Sequence, residues 1–235
     1  IVSKFTKKLC KFWLMNKKQN TIVYLMPGLA ANEKVFDFIN LGESFDVFKL
    51  SWIMPYKNEP LKHYCKRLAK KIKHDDPVLV GVSFGGIIVQ EISKIISFKK
   101  VIIISSVKSM YEYPIHMQIS RKTKAYKIFP VNWIDDFEAF VGFIFGPLAR
   151  KKMEHSRKYL SYRDPFYLEW ALDAFFNWKQ KKPLNYVIHI HGTYDMVFPI
   201  IYLKEFIPVK GGTHAMIIFK KKWFNDNIPK IILDD

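Results

Sequence analysis

Pro77-Val78-Leu79-Val80-Gly81-Val82-Ser83-Phe84-Gly85-Gly86-Ile87-Ile88-Val89-Gln90 is the stretch on which the reading of this chain turns. Pro77 to Val80 is short and wholly apolar, as a buried strand requires, and Gly86 to Ile96 reads as a buried helix. Between them Gly81-Val82-Ser83-Phe84-Gly85 sets a serine at the tip of a sharp turn. The glycines have a steric reason. A serine forced into a strained backbone needs neighbours without side chains, so that strand and helix can approach closely. Ser83 is therefore the candidate nucleophile, and the question becomes whether its partners follow.

The same alternation extends in both directions. Thr21 to Met26 reads as a strand ended by Pro27-Gly28, residues 32–40 as a helix with Val35, Phe36 and Ile39 on one face, and Val47 to Trp52 as a strand. Leu61 to Lys73 carries Leu61, Tyr64, Leu68 and Ile72 at helical spacing. Val78 to Val82, Val101 to Ile104, Tyr186 to Ile190 and Ile207 to Val209 supply further strands. Nearly continuous apolar strands alternating with helices predict an α/β fold, a mostly parallel sheet with helices on both faces. Ligands bind beyond the carboxyl ends of such strands. Gly28-Leu29, Ser83, Ser105 and the residues after Ile190 would converge there.

Between Val107 and Pro183 the alternation stops. The segment is helical in character and aromatic, with Trp133, Phe137, Phe140, Phe143, Phe145, Trp170, Phe175 and Phe176 among its rings. It reads as a helical cap over the active edge, which divides the chain into 1–106, a cap at 107–183, and 184–235. Its aromatics suit a cap core and an apolar pocket wall, with Trp133 and Trp170 as candidates for touching substrate.

The chain has 235 residues and is 49% hydrophobic, enough for one domain with a substantial core. No internal repeat, low-complexity tract or run long enough to span a bilayer is present. The net charge of +17 comes from 33 lysines and five arginines, spread in twos and threes such as Lys7-Lys8, Lys70-Lys71 and Lys220-Lys221-Lys222. That pattern suits a solvated surface better than a nucleic-acid groove, which favours arginine and clustered basic segments. Cys10 and Cys65 make no disulfide framework or metal site, so a reducing cytoplasm is expected. Residues 1–14 read either as sequence upstream of a start at Met15 or as an edge strand or amphipathic surface segment, and contain no apolar core of signal-peptide length.

Two features follow Ser83 in order. After the strand ending at Ile190 comes His191-Gly192-Thr193-Tyr194-Asp195, and after the last strand comes Gly211-Gly212-Thr213-His214. A serine hydroxyl is a poor nucleophile until an imidazole accepts its proton, and a buried carboxylate fixes that imidazole's tautomer. The strand that follows Ser83 ends in Ser105-Ser106-Val107-Lys108-Ser109, without a rival carboxylate. His63, His74, His116, His155, His189 and His191 lack the context of His214. His189 and His191 alternate on a strand end without a third residue at ligand spacing, so no metal site and no cofactor are expected.

Pro27-Gly28-Leu29, Gly81-Val82-Ser83-Phe84-Gly85, His191 to Asp195 and Gly212-Thr213-His214 together resemble the α/β-hydrolase superfamily. The resemblance implies Ser83 as nucleophile, His214 as general base and then acid, Asp195 as its orienting carboxylate, and the backbone N–H groups of Leu29 and Phe84 as the oxyanion hole. It implies a small ester or thioester substrate. An acyl-carrier or coenzyme A thioesterase, whose acidic partner the lysines would suit, and a non-catalytic ligand-binding module are the alternatives. Pro27 stands where many relatives have histidine. The interval from Asp195 to His214, interrupted by Pro199 and Pro208, leaves room for only a very short crossover helix or none.

Overall fold

The central strands are apolar on both sides, and the two sides go to different cores. In a strand successive side chains point to opposite faces. Tyr24, Met26, Leu79, Val101 and Ile103 join one buried cluster, while Val23, Leu25, Val78, Val80, Ile102 and Ile104 join the other. Both faces of the sheet must therefore be covered, and they are. The computed structural model describes residues 20–128 and 159–234.

Six strands form one sheet: β1 (Thr21–Met26), β2 (Phe45–Lys49), β3 (Val78–Val82), β4 (Lys100–Ile104), β5 (Val187–Gly192) and β6 (Ile207–Val209). Their spatial order is β2-β1-β3-β4-β5-β6, and every pairing is parallel. One face is covered by α1 (Leu61–Ala69) and α2 (Phe84–Ile92), through Tyr64, Leu68, Ile87 and Ile88. In the β4–β5 connection lie α3 (Ile115–Thr123) and α4 (Pro165–Phe176). Asp164 caps α4 by accepting the Tyr167 N–H at 3.0 Å, Pro165 starts it, and Tyr167, Leu168 and Ala171 are buried in the same core. The short α5 (Met216–Phe219) runs into α6 (Lys221–Leu233), which covers the other face with Phe224, Ile228 and Ile232.

β1, β3 and β6 have the bounds that the sequence predicts, and β4 and β5 differ by one or two residues at an end. The helix expected at 32–40 is a correction: only the 3₁₀ turn Glu33–Phe36 forms. Long-range partners take the backbone groups that a helix would use. The Asn40 N–H donates to Asn225 Oδ1 at 3.0 Å and Asn225 Nδ2 donates to the Phe38 carbonyl at 3.0 Å. α1 stops at Ala69 rather than Lys73, its end tightening into bonds such as Ile72 N–H to the Ala69 carbonyl. β2 starts two residues and ends three residues earlier than expected, because pairing with β1 starts at Thr21 opposite Phe45. Between β5 and β6 the only helical turn is 3₁₀, Ile200–Tyr202, as the short interval requires.

Cys65 is a buried free thiol. Cys10, Trp133, Phe137, Phe140, Phe143, Phe145, His155 and the 1–14 segment lie outside the described residues. Among the described residues no helix is long and apolar enough to cross a membrane.

Candidate active site

Ser83 occupies the end of β3 with φ 53° and ψ −122°, a conformation that L-residues rarely adopt. The surroundings hold it there. Its N–H donates to the Ile104 carbonyl at 2.9 Å, and its carbonyl accepts from Gly86 N–H and from Ser106 Oγ, each at 2.8 Å. The turn is possible only with glycine at its base, since a Cβ on Gly85 would stand 2.4 Å from the Pro27 carbonyl oxygen.

His214 comes to Ser83 across 131 positions of sequence, from the loop after β6, and its Nε2 lies 3.0 Å from Ser83 Oγ. His214 Nδ1 lies 2.9 Å from Asp195 Oδ2, in the loop after β5. Asp195 is buried, and its other oxygen, Oδ1, accepts the N–H groups of Val197 at 2.9 Å and Phe198 at 3.0 Å. Burial pushes this carboxyl up, but His214, His191 and the Phe198 amide together outweigh it and hold the pKa below the ordinary aspartate value. The carboxylate stays ionised, and it fixes a proton on His214 Nδ1. His214 Nε2 then faces Ser83 Oγ.

The predicted anion donors lie at the same place. Phe84 is the first residue of α2, and no backbone–backbone bond among the described residues uses its N–H or that of Leu29. The Gly28–Leu29 turn sits against Ser83: a Cβ on Gly28 would be 3.8 Å from Ser83 Oγ. Trp52 Nε1 pins that turn by donating to the carbonyls of Gly28 and Ala31, both at 3.1 Å. Ser83, Leu29 and Phe84 open onto a cavity of about 160 Å³ walled by Met117, Leu172, Phe176 and Phe198. Trp170 is not part of that wall. It packs at 4.1 Å ring separation on Tyr64, with its indole N–H donated to the Glu59 carbonyl at 2.7 Å.

Solved structures of similar shape cover nearly the whole chain. A bromoperoxidase from Bacillus anthracis matches with 18% identity over 92% of this chain and 93% of its own, at a TM-score of 0.68. MenH from S. aureus matches with 14% identity over 92% and 95%, at 0.69. An esterase from Thermogutta terrifontis matches with 13% identity over 91% and 90%, at 0.64. The chain has the α/β-hydrolase fold. No family model and no curated protein matches the sequence.

On this α/β-hydrolase frame, one pair of side chains escaped the sequence reading. His191 Nε2 lies 2.9 Å from the Phe198 carbonyl oxygen and 3.4 Å from Asp195 Oδ2, and His191 Nδ1 lies 3.0 Å from His189 Nε2. Both imidazoles are buried, and burial holds both pKa values below the ordinary histidine value. Their alternation on β5 was visible, but their contact with the Asp195 loop depends on Phe198 folding back. Among the described residues no group of three or more His, Cys, Asp or Glu side chains is arranged to hold a metal ion.

Proposed function

We propose that this protein is a serine hydrolase that cleaves a small ester or thioester through an acyl-enzyme on Ser83. The observation that carries the reading is the continuous line Ser83 Oγ, His214 Nε2, His214 Nδ1, Asp195 Oδ2, with successive contacts of 3.0 and 2.9 Å. Ser83 Oγ attacks the substrate carbonyl carbon while His214 takes its proton, and the oxygen of the tetrahedral adduct gains charge. The N–H groups of Leu29 and Phe84 bind that oxygen; one such donor is worth about 3–4 kcal/mol of transition-state stabilisation. Collapse expels the alcohol or thiol, which His214 protonates. Water, deprotonated by His214, then attacks the acyl carbon; the acyl–Oγ bond breaks, the carboxylic acid leaves and His214 returns the proton to Ser83 Oγ. No cofactor is needed.

The apolar cavity beside Ser83 takes the acyl group, and its volume of about 160 Å³ favours a short one. In this reading residues 107–183 are the cap: α4 supplies Leu172 and Phe176 to the cavity wall, and α3 supplies Met117. A cytoplasmic location belongs to the same reading and rests on cysteine usage.

A fluorophosphonate probe tests the chemistry. Stoichiometric labelling that disappears in Ser83→Ala is expected, and an unlabelled folded protein would overturn it. A second reading, hydrolysis of thioesters on an acidic acyl carrier or coenzyme A, draws on the +17 charge. It requires kcat/KM for the carrier-linked substrate to fall steeply with salt while that for a neutral ester does not. A ligand recovered intact after incubation with wild-type protein would instead favour a binding module.

A further inference from the structure

We propose that His191 is a positioning residue for Asp195 and that His189 fixes its tautomer, an assignment that rests on the serine hydrolase reading above. The proton inventory decides which atom carries which hydrogen. The Phe198 carbonyl can only accept, so His191 must carry its proton on Nε2, where it donates to that carbonyl at 2.9 Å. The same N–H faces Asp195 Oδ2 at 3.4 Å, the oxygen that also accepts from His214. His191 Nδ1 is then a lone pair, and among the described residues the group bonded to it is His189 Nε2, which must donate across their 3.0 Å contact. Among the described residues His189 Nδ1 makes no hydrogen bond of ordinary geometry, although His189 is only 2% exposed and the Ser106 backbone also bears on its ring. A buried polar group left unmatched is costly unless it does something. Here it holds His191 in the one tautomer that presents a donor to the Asp195 loop.

The effect reaches His214 in two ways. By binding the Phe198 carbonyl, His191 fixes the turn whose Val197 and Phe198 amides hold Asp195 Oδ1. By facing Oδ2 with an N–H dipole, it lowers the proton affinity of the Asp195–His214 couple. The groups that face the two histidines are Asp195 and His214 from the loops after β5 and β6, the Phe206 ring, and Lys108 from the segment after β4. Lys108 donates its ammonium to the Glu205 carbonyl at 2.9 Å and adds a cation on the His189 side. Burial lowers both histidine pKa values, and for His191 it outweighs the opposing pull of Asp195 and the Phe198 carbonyl, which favours a fixed dipole over a charge.

The test compares His191→Phe, His191→Gln and His189→Phe with wild type for fluorophosphonate labelling, kcat, KM and the pH profile of kcat/KM on a p-nitrophenyl ester. His191→Phe should lower kcat between about 10- and 100-fold with KM within about twofold. Its acid limb, which reports the couple's proton affinity, should move to higher pH. His191→Gln, whose amide nitrogen reaches the same point, should restore most of kcat and the wild-type limb. His189→Phe leaves the donor in place but frees the tautomer, and should shift the limb part of the way; it carries the test if His191→Phe does not fold. Wild type that labels, with an unmoved acid limb in the variants, overturns the positioning role alone. Wild type that takes no label overturns the hydrolase reading and this role with it.

Discussion

Gly192 runs so close to Gly212 that a Cβ built on Gly192 would stand 2.3 Å from the Gly212 carbonyl oxygen. Around this contact Tyr194 N–H donates to that carbonyl at 2.8 Å, Thr193 N–H to the Val209 carbonyl at 3.1 Å, and Gly211 N–H to Thr193 Oγ1 at 2.9 Å. The loops carrying Asp195 and His214 are thus fastened backbone to backbone, and the 2.9 Å contact between the two side chains inherits its precision from there.

Gly192→Ala tests the fastening. Since the clash is with backbone, it cannot be relieved by a rotamer change, and the loops must separate. A loss of about 1–3 kcal/mol in unfolding free energy is expected, together with a loss of kcat as the two loops separate. Urea unfolding and ester hydrolysis measure the two effects; equal activity in wild type and Gly192→Ala would sink the idea.

Asp195→Asn keeps the shape but turns His214 to the wrong tautomer. The expected fall in kcat is about 10⁴-fold, with KM little changed and circular dichroism unaltered. A fall below tenfold would mean that another group orients His214.

Acidification should weaken the fold through His189 and His191. Their folded pKa values lie below the ordinary 6.5, so the unfolded chain takes up protons first. The stability contributed by the neutral pair is complete above about pH 6.5 and is lost as pH falls from there toward the folded values. Asp195, held below 3.8, adds a loss at more acid pH, as its folded carboxylate is protonated. Thermal midpoints from pH 8 to 5 should fall in wild type and fall less steeply in His189→Phe. A flat wild-type profile would refute the sign.

Met117→Ala enlarges the acyl cavity from the α3 side, at a partly buried residue on the margin of the core. The ratio of octanoate to butyrate ester kcat/KM should rise about tenfold, while labelling of Ser83 stays unchanged. A panel of p-nitrophenyl esters reads both, and an unchanged ratio would place the acyl chain elsewhere.

The strands were legible because parallel pairing buries both faces, which leaves unbroken apolar runs such as Val78 to Val82. Ser83, Asp195 and His214 stood out as candidates because each comes shortly after a strand end, and the fold brings the three side chains together. What escaped depended on distant partners. The 32–40 helix fails because Asn225 takes the Asn40 and Phe38 backbone groups. The helix α6 was overlooked although Phe224, Ile228 and Ile232 repeat every four residues, since Pro229 lies inside it. His191 stayed silent because its partner is a main-chain carbonyl, which has no signature in sequence.

Among the described residues the three-residue β6 forms one edge of the sheet. Val209 turns its carbonyl inward to Thr193 N–H, so the intervening Pro208 presents its backbone outward, where it is exposed and has no N–H to offer. An edge that short, lacking a donor at its middle, is a poor template for another extended chain. The strand that delivers His214 therefore also guards this flank against edge-to-edge self-association.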